Sequence, residues 1–129
     1  MILQKIEDFD VWKKAEALSV AITAILARPG FSKEFSLRSQ IRDAVDSVLS
    51  NMSEGFEQPT DRAFANYLYR VKGSAAETCT RLGIAYRRNL VSKEELRDLV
   101  QRGEEVGKMT SGLIRHLMKT PDRRRGLGV

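Results

Sequence analysis

The side chains that could carry acid–base, nucleophilic or metal chemistry are few and poorly spaced for it. There is one histidine, His116, and one cysteine, Cys79. A structural zinc site takes about four protein donors of the His and Cys kind, and a single cysteine excludes an intrachain disulfide. A Ser-His-Asp triad would have to be assembled around His116 alone. The Glu-Xaa-Xaa-His pairs that di-metal bundles place on two helices do not occur. Glu94-Glu95 and Glu104-Glu105 are adjacent, and adjacent helical residues diverge by about 100°, so both pairs are expected to face solvent. His116 reads as a last-turn histidine favoured by the helix dipole. Cys79 reads as a small core residue. No glycine-rich phosphate loop is present. Neither an enzyme nor a cofactor or metal site is expected.

Charge points to a different class. The chain carries 22 Lys and Arg against 17 Asp and Glu, a net +5. Lys119 and Arg123, Arg124 and Arg125 against Asp122 supply +3 of that excess. Arg81, Arg87 and Arg88 end the third helical segment, Arg97 and Arg102 lie on the fourth, and Arg115 and Lys119 close it. Together with the tail arginines they are the candidate contacts to RNA or DNA phosphates. The competing reading is ordinary solvated charge on a protein–protein scaffold or adaptor.

A second pattern is polar but ordered. In residues 40–58, Val45, Val48, Leu49 and Met52 form an apolar helical stripe. Beside it run Gln40, Ser47, Asn51 and Glu54. For Gln40 and Ser47 a solvated face and an ordering role are equally open readings. Asn51 and Glu54 abut Gly55 and a turn, where they are expected to orient helices or subunits. A Glu54–Arg70 or Glu77–Arg42 pair would fix such a register.

These residues need helices to position them. Val11, Ala15, Leu18, Ile22 and Ile25 recur at helical spacing and predict a helix over 10–27, capped by Asp8 or Asp10 and ended by Arg28-Pro29-Gly30. Leu37, Ile41, Ala44, Val48 and Met52 predict a second over 36–54, with Gly55 as a left-handed cap. Phe64, Leu68, Val71, Ala75, Cys79, Leu82 and Tyr86 predict a long third over 61–89, starting at Pro59-Thr60-Asp61. Ser92 and Glu95 form a capping box for a fourth, running to Met118 with Leu96, Leu99, Val106, Leu113 and Leu117 inward. Short connections make neighbours antiparallel, so the expected fold is an all-α, up-down-up-down four-helix bundle. Residues 1–120 form one domain and 121–129 a basic, disordered tail.

Two helices carry more apolar surface than one seam uses. The third adds Ala65, Tyr69, Ala76 and Ile84, and the first adds Ala17, Ala21 and Ala24. Either the core is wide or a second partner covers these faces; unequal helix lengths favour a partner. With Asn51 and Glu54 these residues of the third helix are the candidate oligomer interface. No apolar run approaches the ~18 residues of a membrane span, and the first ten residues lack a signal-peptide pattern, so a cytoplasmic location is expected.

Four segments occur in a recognisable order: FDVWKKA (Phe9 to Ala15), FSKEFSLRSQIRDA (Phe31 to Ala44), SVLSNMSEGF (Ser47 to Phe56) and FANYLYRVKGSAAE (Phe64 to Glu77). Together they resemble the 23S rRNA intervening sequence protein family, to which the diversity-generating retroelement accessory protein is related. Met52-Ser53-Glu54-Gly55 stands where typical members have Ile-Ala-Glu-Gly. The resemblance implies a four-helix bundle that assembles as a homopentamer without catalytic activity. For the retroelement branch it implies a basic surface for nucleic acid and a protein partner such as a reverse transcriptase.

Overall fold

Capping chemistry and two glycines decide how the helices start, stop and approach one another. The computed structural model describes residues 5–119. Its helices are α1 (Asp10–Leu26), α2 (Phe35–Phe56), α3 (Asp61–Arg87) and α4 (Lys93–Leu117), with single 3₁₀ turns at Ile6–Asp8 and Pro29–Phe31. The expected tail at residues 121–129, with Arg123, Arg124 and Arg125, lies outside the described residues.

The starts of α3 and α4 follow the sequence signals. Thr60 Oγ1 accepts from the Ala63 amide at 3.1 Å. Ser92 Oγ accepts from the Glu95 amide at 3.1 Å, and Glu95 Oε1 accepts from the Ser92 amide at 2.8 Å, which closes the capping box. The start of α1 differs from expectation. Its N-cap is Phe9, without a side-chain bond. The Asp8 carboxylate instead accepts from the Lys5 amide at 3.2 Å and closes the preceding 3₁₀ turn. Asp10 is left as the first helical residue, where the dipole favours its charge.

The third helix stops two residues before the expected Asn89. Asn89 adopts the left-handed conformation, φ 62°. The Leu90 amide donates to the Ala85 carbonyl at 2.9 Å and the Asn89 amide to Tyr86 at 2.9 Å. This is the Schellman pattern, with asparagine where glycine is commoner.

Gly55 corrects the reading of the second helix. It is buried inside the last turn of α2, not a left-handed cap beyond it. A Cβ there would come 2.7 Å from Tyr67 Cβ and 2.9 Å from Phe64 Cδ1. Its missing side chain is what lets α2 press against α3. Gly103 serves α4 in the same way, since a Cβ would meet Cys79 Sγ at 2.6 Å. The α2–α3 and α3–α4 seams are the most extensive in the bundle; α1 packs less extensively on α2 and α4.

The helices form an antiparallel up-down-up-down bundle in which α1 and α3 are diagonal, as are α2 and α4. Two apolar clusters fill it. Around the start of α1 gather Val11, Ala15, Met52, Phe64, Leu68, Val71 and Ala75. Towards its end gather Leu18, Ile22, Phe31, Ile41, Leu82 and Ala85. Buried Thr78 and Thr110 donate to the carbonyls four residues back, Ser74 at 2.8 Å and Val106 at 2.7 Å, so neither hydroxyl is stranded. Tyr86 departs from its expected core position and is 39% exposed, while Ala85 is fully buried. Near the end of the bundle the small Ala85 and the turn residue Leu90 close the core instead.

Candidate functional site

The arginines expected to meet nucleic acid do not converge. Arg81 donates to Gln40 Oε1 at 3.2 Å and lies 3.7 Å from Glu77. Arg88 pairs with Glu34 at 2.8 Å, and Arg102 with Asp98 at 3.2 Å. Such exposed pairs are worth about 0–1 kcal/mol each, so they do not lock the side chains, but each carboxylate cancels local positive potential. Among the described residues Arg87, Arg97, Arg115 and Lys119 face no acidic partner within ion-pair distance. Arg87 and Arg97 flank the α3–α4 turn, whereas Arg115 and Lys119 lie at the far end of α4. The separation of 18 positions from Arg97 to Arg115 spans about 27 Å of helix.

The polar line of α2 divides into separate roles. Gln40 bridges to α3 through Arg81. Asn51 Nδ2 donates to the Ser47 carbonyl of its own helix at 2.9 Å. Glu54 is exposed. Neither register pair suggested by the sequence forms. Arg70 lies 4.6 Å over the Tyr67 ring, Glu77 engages Arg81, and Arg42 reaches Ser39 Oγ at 3.5 Å.

A different charged contact does join distant elements. Arg28, just after α1, grips the Glu95 carboxylate through both terminal nitrogens, Nη1 to Oε1 at 3.0 Å. Bidentate geometry makes this the best-defined ion pair described. The Arg28 hydrogen bond, then the Ser92 amide, lowers the Glu95 carboxyl to a pKa of about 2. Glu95 therefore does not simply face solvent, as adjacency to Glu94 suggested. Capping holds its carboxylate at the helix start, where the end of α1 passes. The local signal present in the sequence was the capping box; the partner, 67 residues away, left none.

The outer faces of α1 and α3 hold most of the remaining interface candidates. Val20 is 66% exposed and Tyr69 57%. Ala17, Ala24 and Ala76 are exposed, while Ala21 and Ile84 are half-buried against the core. A Cβ on Gly73 would meet nothing within 4 Å. Ala65 is different: at 1% exposure it belongs to the subunit's own core and has no outer surface to offer.

Chemistry-bearing residues stay apart. Cys79 is half-buried with Sγ 3.9 Å from the Val100 carbonyl. Burial, and then the Glu104 charge, push its thiol pKa up, which disfavours the reactive thiolate. Among the described residues no three His, Cys, Asp or Glu side chains gather as metal ligands. An open cleft of about 400 Å³ between α1 and α4 is lined by Lys14, Ala17, Asp98, Gln101, Arg102 and Glu105. Its charges cancel in pairs, Lys14 with Glu105 and Arg102 with Asp98. No helix among the described residues is long and apolar enough to cross a membrane.

Comparison with known proteins gives one family and one shared fold. The family model described as 23S rRNA-intervening sequence protein matches residues 7–112. A crystal structure of a protein with unknown function, from the S23 ribosomal protein family of Bacteroides thetaiotaomicron, shares the fold at a TM-score of 0.74 and 23% identity. The match covers 81% of this chain and 98% of that one. No curated protein matches the chain.

Proposed function

From the premise that this chain belongs to the 23S rRNA-intervening sequence protein family, we propose that it is a non-catalytic, self-assembling accessory protein of the cytoplasm. One observation carries this reading. The large apolar side chains Val20 and Tyr69 stand exposed on the outer faces of α1 and α3, and none of the described elements of the subunit covers them. A second copy would remove that apolar surface from water, at roughly 25 cal/mol per Å². Five subunits is the count that the family resemblance implies. The experiment is multi-angle light scattering on the untagged protein at micromolar concentration. A mass near five times the 14.6 kDa chain is expected. A monomer overturns the reading.

A second reading adds nucleic acid to the assembled protein. It is supported by Arg87, Arg97, Arg115 and Lys119, which face no acidic partner among the described residues, and by the charges of Arg123, Arg124 and Arg125 in the sequence of the tail. Assembly would multiply these cations and raise their effective concentration. Affinity for RNA or DNA would then fall steeply with salt, by about 0.7–0.9 in the log–log slope per phosphate neutralised. Truncation after Thr120 should flatten that slope without changing the mass of the assembly. If the intact protein binds no nucleic acid at low salt, the alternative holds: a scaffold whose surface recruits another protein, such as the reverse transcriptase implied for the retroelement branch.

A further inference from the structure

We propose that the outer face of α1 on one copy docks on the outer face of α3 on the next, so that the assembly repeats a single head-to-tail contact. The inference rests on the self-assembly reading and specifies its interface. The two faces belong to diagonal helices, so they lie on different sides of the subunit. One pairing therefore uses both, and each copy offers one face to each neighbour.

The faces match in spacing, shape and charge. Ala17, Val20, Ala24 and Ala27 recur at intervals of three and four on α1 and its C-cap. Tyr69, Gly73, Ala76 and Thr80 recur likewise on α3. This is the seam period of helices packing knobs into holes. None of these eight residues is charged, in a chain where 30% of residues are, and Glu77 beside the α3 line is paired with Arg81 at 3.7 Å. Val20, 66% exposed, is a knob. Gly73, Ala76, Glu77 and Thr80 bound a four-residue hole, and the space above Gly73 is open.

Register follows from the core. The up-down-up-down topology makes α1 and α3 parallel. The Phe9 and Phe64 rings meet at 6.3 Å where the two helices begin. At about 1.5 Å of rise per residue, Val20, eleven residues beyond Phe9, stands near the level of Ala75, eleven beyond Phe64, which is the level of the hole. Neighbours related by a head-to-tail contact with parallel helices keep that level.

The flanking charges are complementary in this register. Lys14 turns towards α4, where it meets Glu105 at 3.2 Å. Glu16, two residues on, lies about 200° further around α1, on the α2 flank. Arg70 lies on the α2 flank of α3, because it covers Tyr67, whose Cβ abuts Gly55 of α2. Head-to-tail packing brings these two flanks to the same side. Glu16 lies seven residues beyond Phe9 and Arg70 six beyond Phe64, and those two rings meet at 6.3 Å, so the two charges share a level to within about one residue's rise.

Cross-linking distinguishes this contact from any other. In a Cys79→Ala background, Val20→Cys and Ala76→Cys are made singly and together. The double variant should oxidise to a ladder of covalent oligomers, and co-expressed single variants should form a mixed disulfide dimer. Neither single variant should cross-link to itself. Val20→Glu should abolish the oligomer while circular dichroism stays helical. Self-cross-linking of Val20→Cys alone would mean α1 meets α1 and would overturn the docking. So would an intact oligomer in which the double variant forms no ladder, and self-assembly itself would stand. A monomeric wild-type protein overturns both.

Discussion

The two ends of the bundle are held by different means. At the end where α1 and α3 begin, three phenylalanines from three elements meet edge to face. Phe9 and Phe56 are 5.5 Å apart, Phe56 and Phe64 6.0 Å, and Phe9 and Phe64 6.3 Å, at 78–89°. Gly55 admits the Phe64 ring against α2. At the opposite end the core is mainly aliphatic, and the connections are tied by Arg28–Glu95, Arg88–Glu34 and the capping box. An aromatic cluster resists disruption through buried area and ring geometry. Exposed ion pairs are screened by salt and titrate. The first end should therefore be stiff under all conditions, while the second responds to solution chemistry.

Phe64→Ala is the strongest challenge to that contrast. Its ring is fully buried and touches both other phenylalanines, so about 3–5 kcal/mol of stability should be lost. Urea unfolding with tryptophan fluorescence measures it, through Trp12 at the same end. A loss below 1 kcal/mol would mean that the aromatic cluster does not hold this end.

Gly55→Ala comes next. Overpacking against Tyr67 and Phe64 should cost about 1–3 kcal/mol, reduced by up to about 1 kcal/mol of gained helix propensity. Gly107→Ala is the control. Its new methyl meets nothing within 4 Å, so only the propensity gain remains. The two variants should move thermal stability in opposite directions.

At the charged end, Ser92→Ala should cost about 1 kcal/mol by removing the cap. The loss should exceed that of Ser36→Ala, which removes no cap bond. Comparison of their denaturation midpoints checks this.

The smallest effect depends on pH. The folded Glu95 pKa, about 2 against an ordinary 4.5, is depressed. Its contribution is therefore full above the unfolded value and disappears as pH falls from about 4.5 towards 2. Glu95→Gln keeps the cap geometry but removes the charge. Its stability profile should be flatter than wild type across that window, and the two should differ most above it. Parallel profiles would place the acid sensitivity elsewhere.

Helix extents were largely legible in the sequence, because burial at a 3.6-residue period repeats along the chain. Errors gathered at ends and crossings. Gly55 looked like a terminating glycine, since nothing local separates a helix stop from a glycine pressed against another helix. Tyr86 continued the stripe of α3 by spacing alone, yet the core closes at Ala85. The candidate site was less legible. Tyr69 and Ala76 were readable as surplus apolar surface on an already satisfied helix. Ala65 carried the same signal but turned inward. Arg88 showed its charge in sequence and kept its distant partner Glu34 hidden, whereas Arg81 and Arg102 pair with Glu77 and Asp98 four residues back, a spacing the sequence displays.

Sequence alone determined the number of helices, their faces, the caps at Thr60 and Ser92, and the scarcity of groups able to do covalent or metal chemistry. Each of these depends on residue type and on neighbours within about one helical turn. Tertiary structure decided which glycines permit close approach, which carboxylate meets Arg28, how three distant phenylalanines share one end, and which apolar faces stay outside. Those outcomes depend on distances between segments tens of residues apart, and the relative rotation and height of packed helices set them.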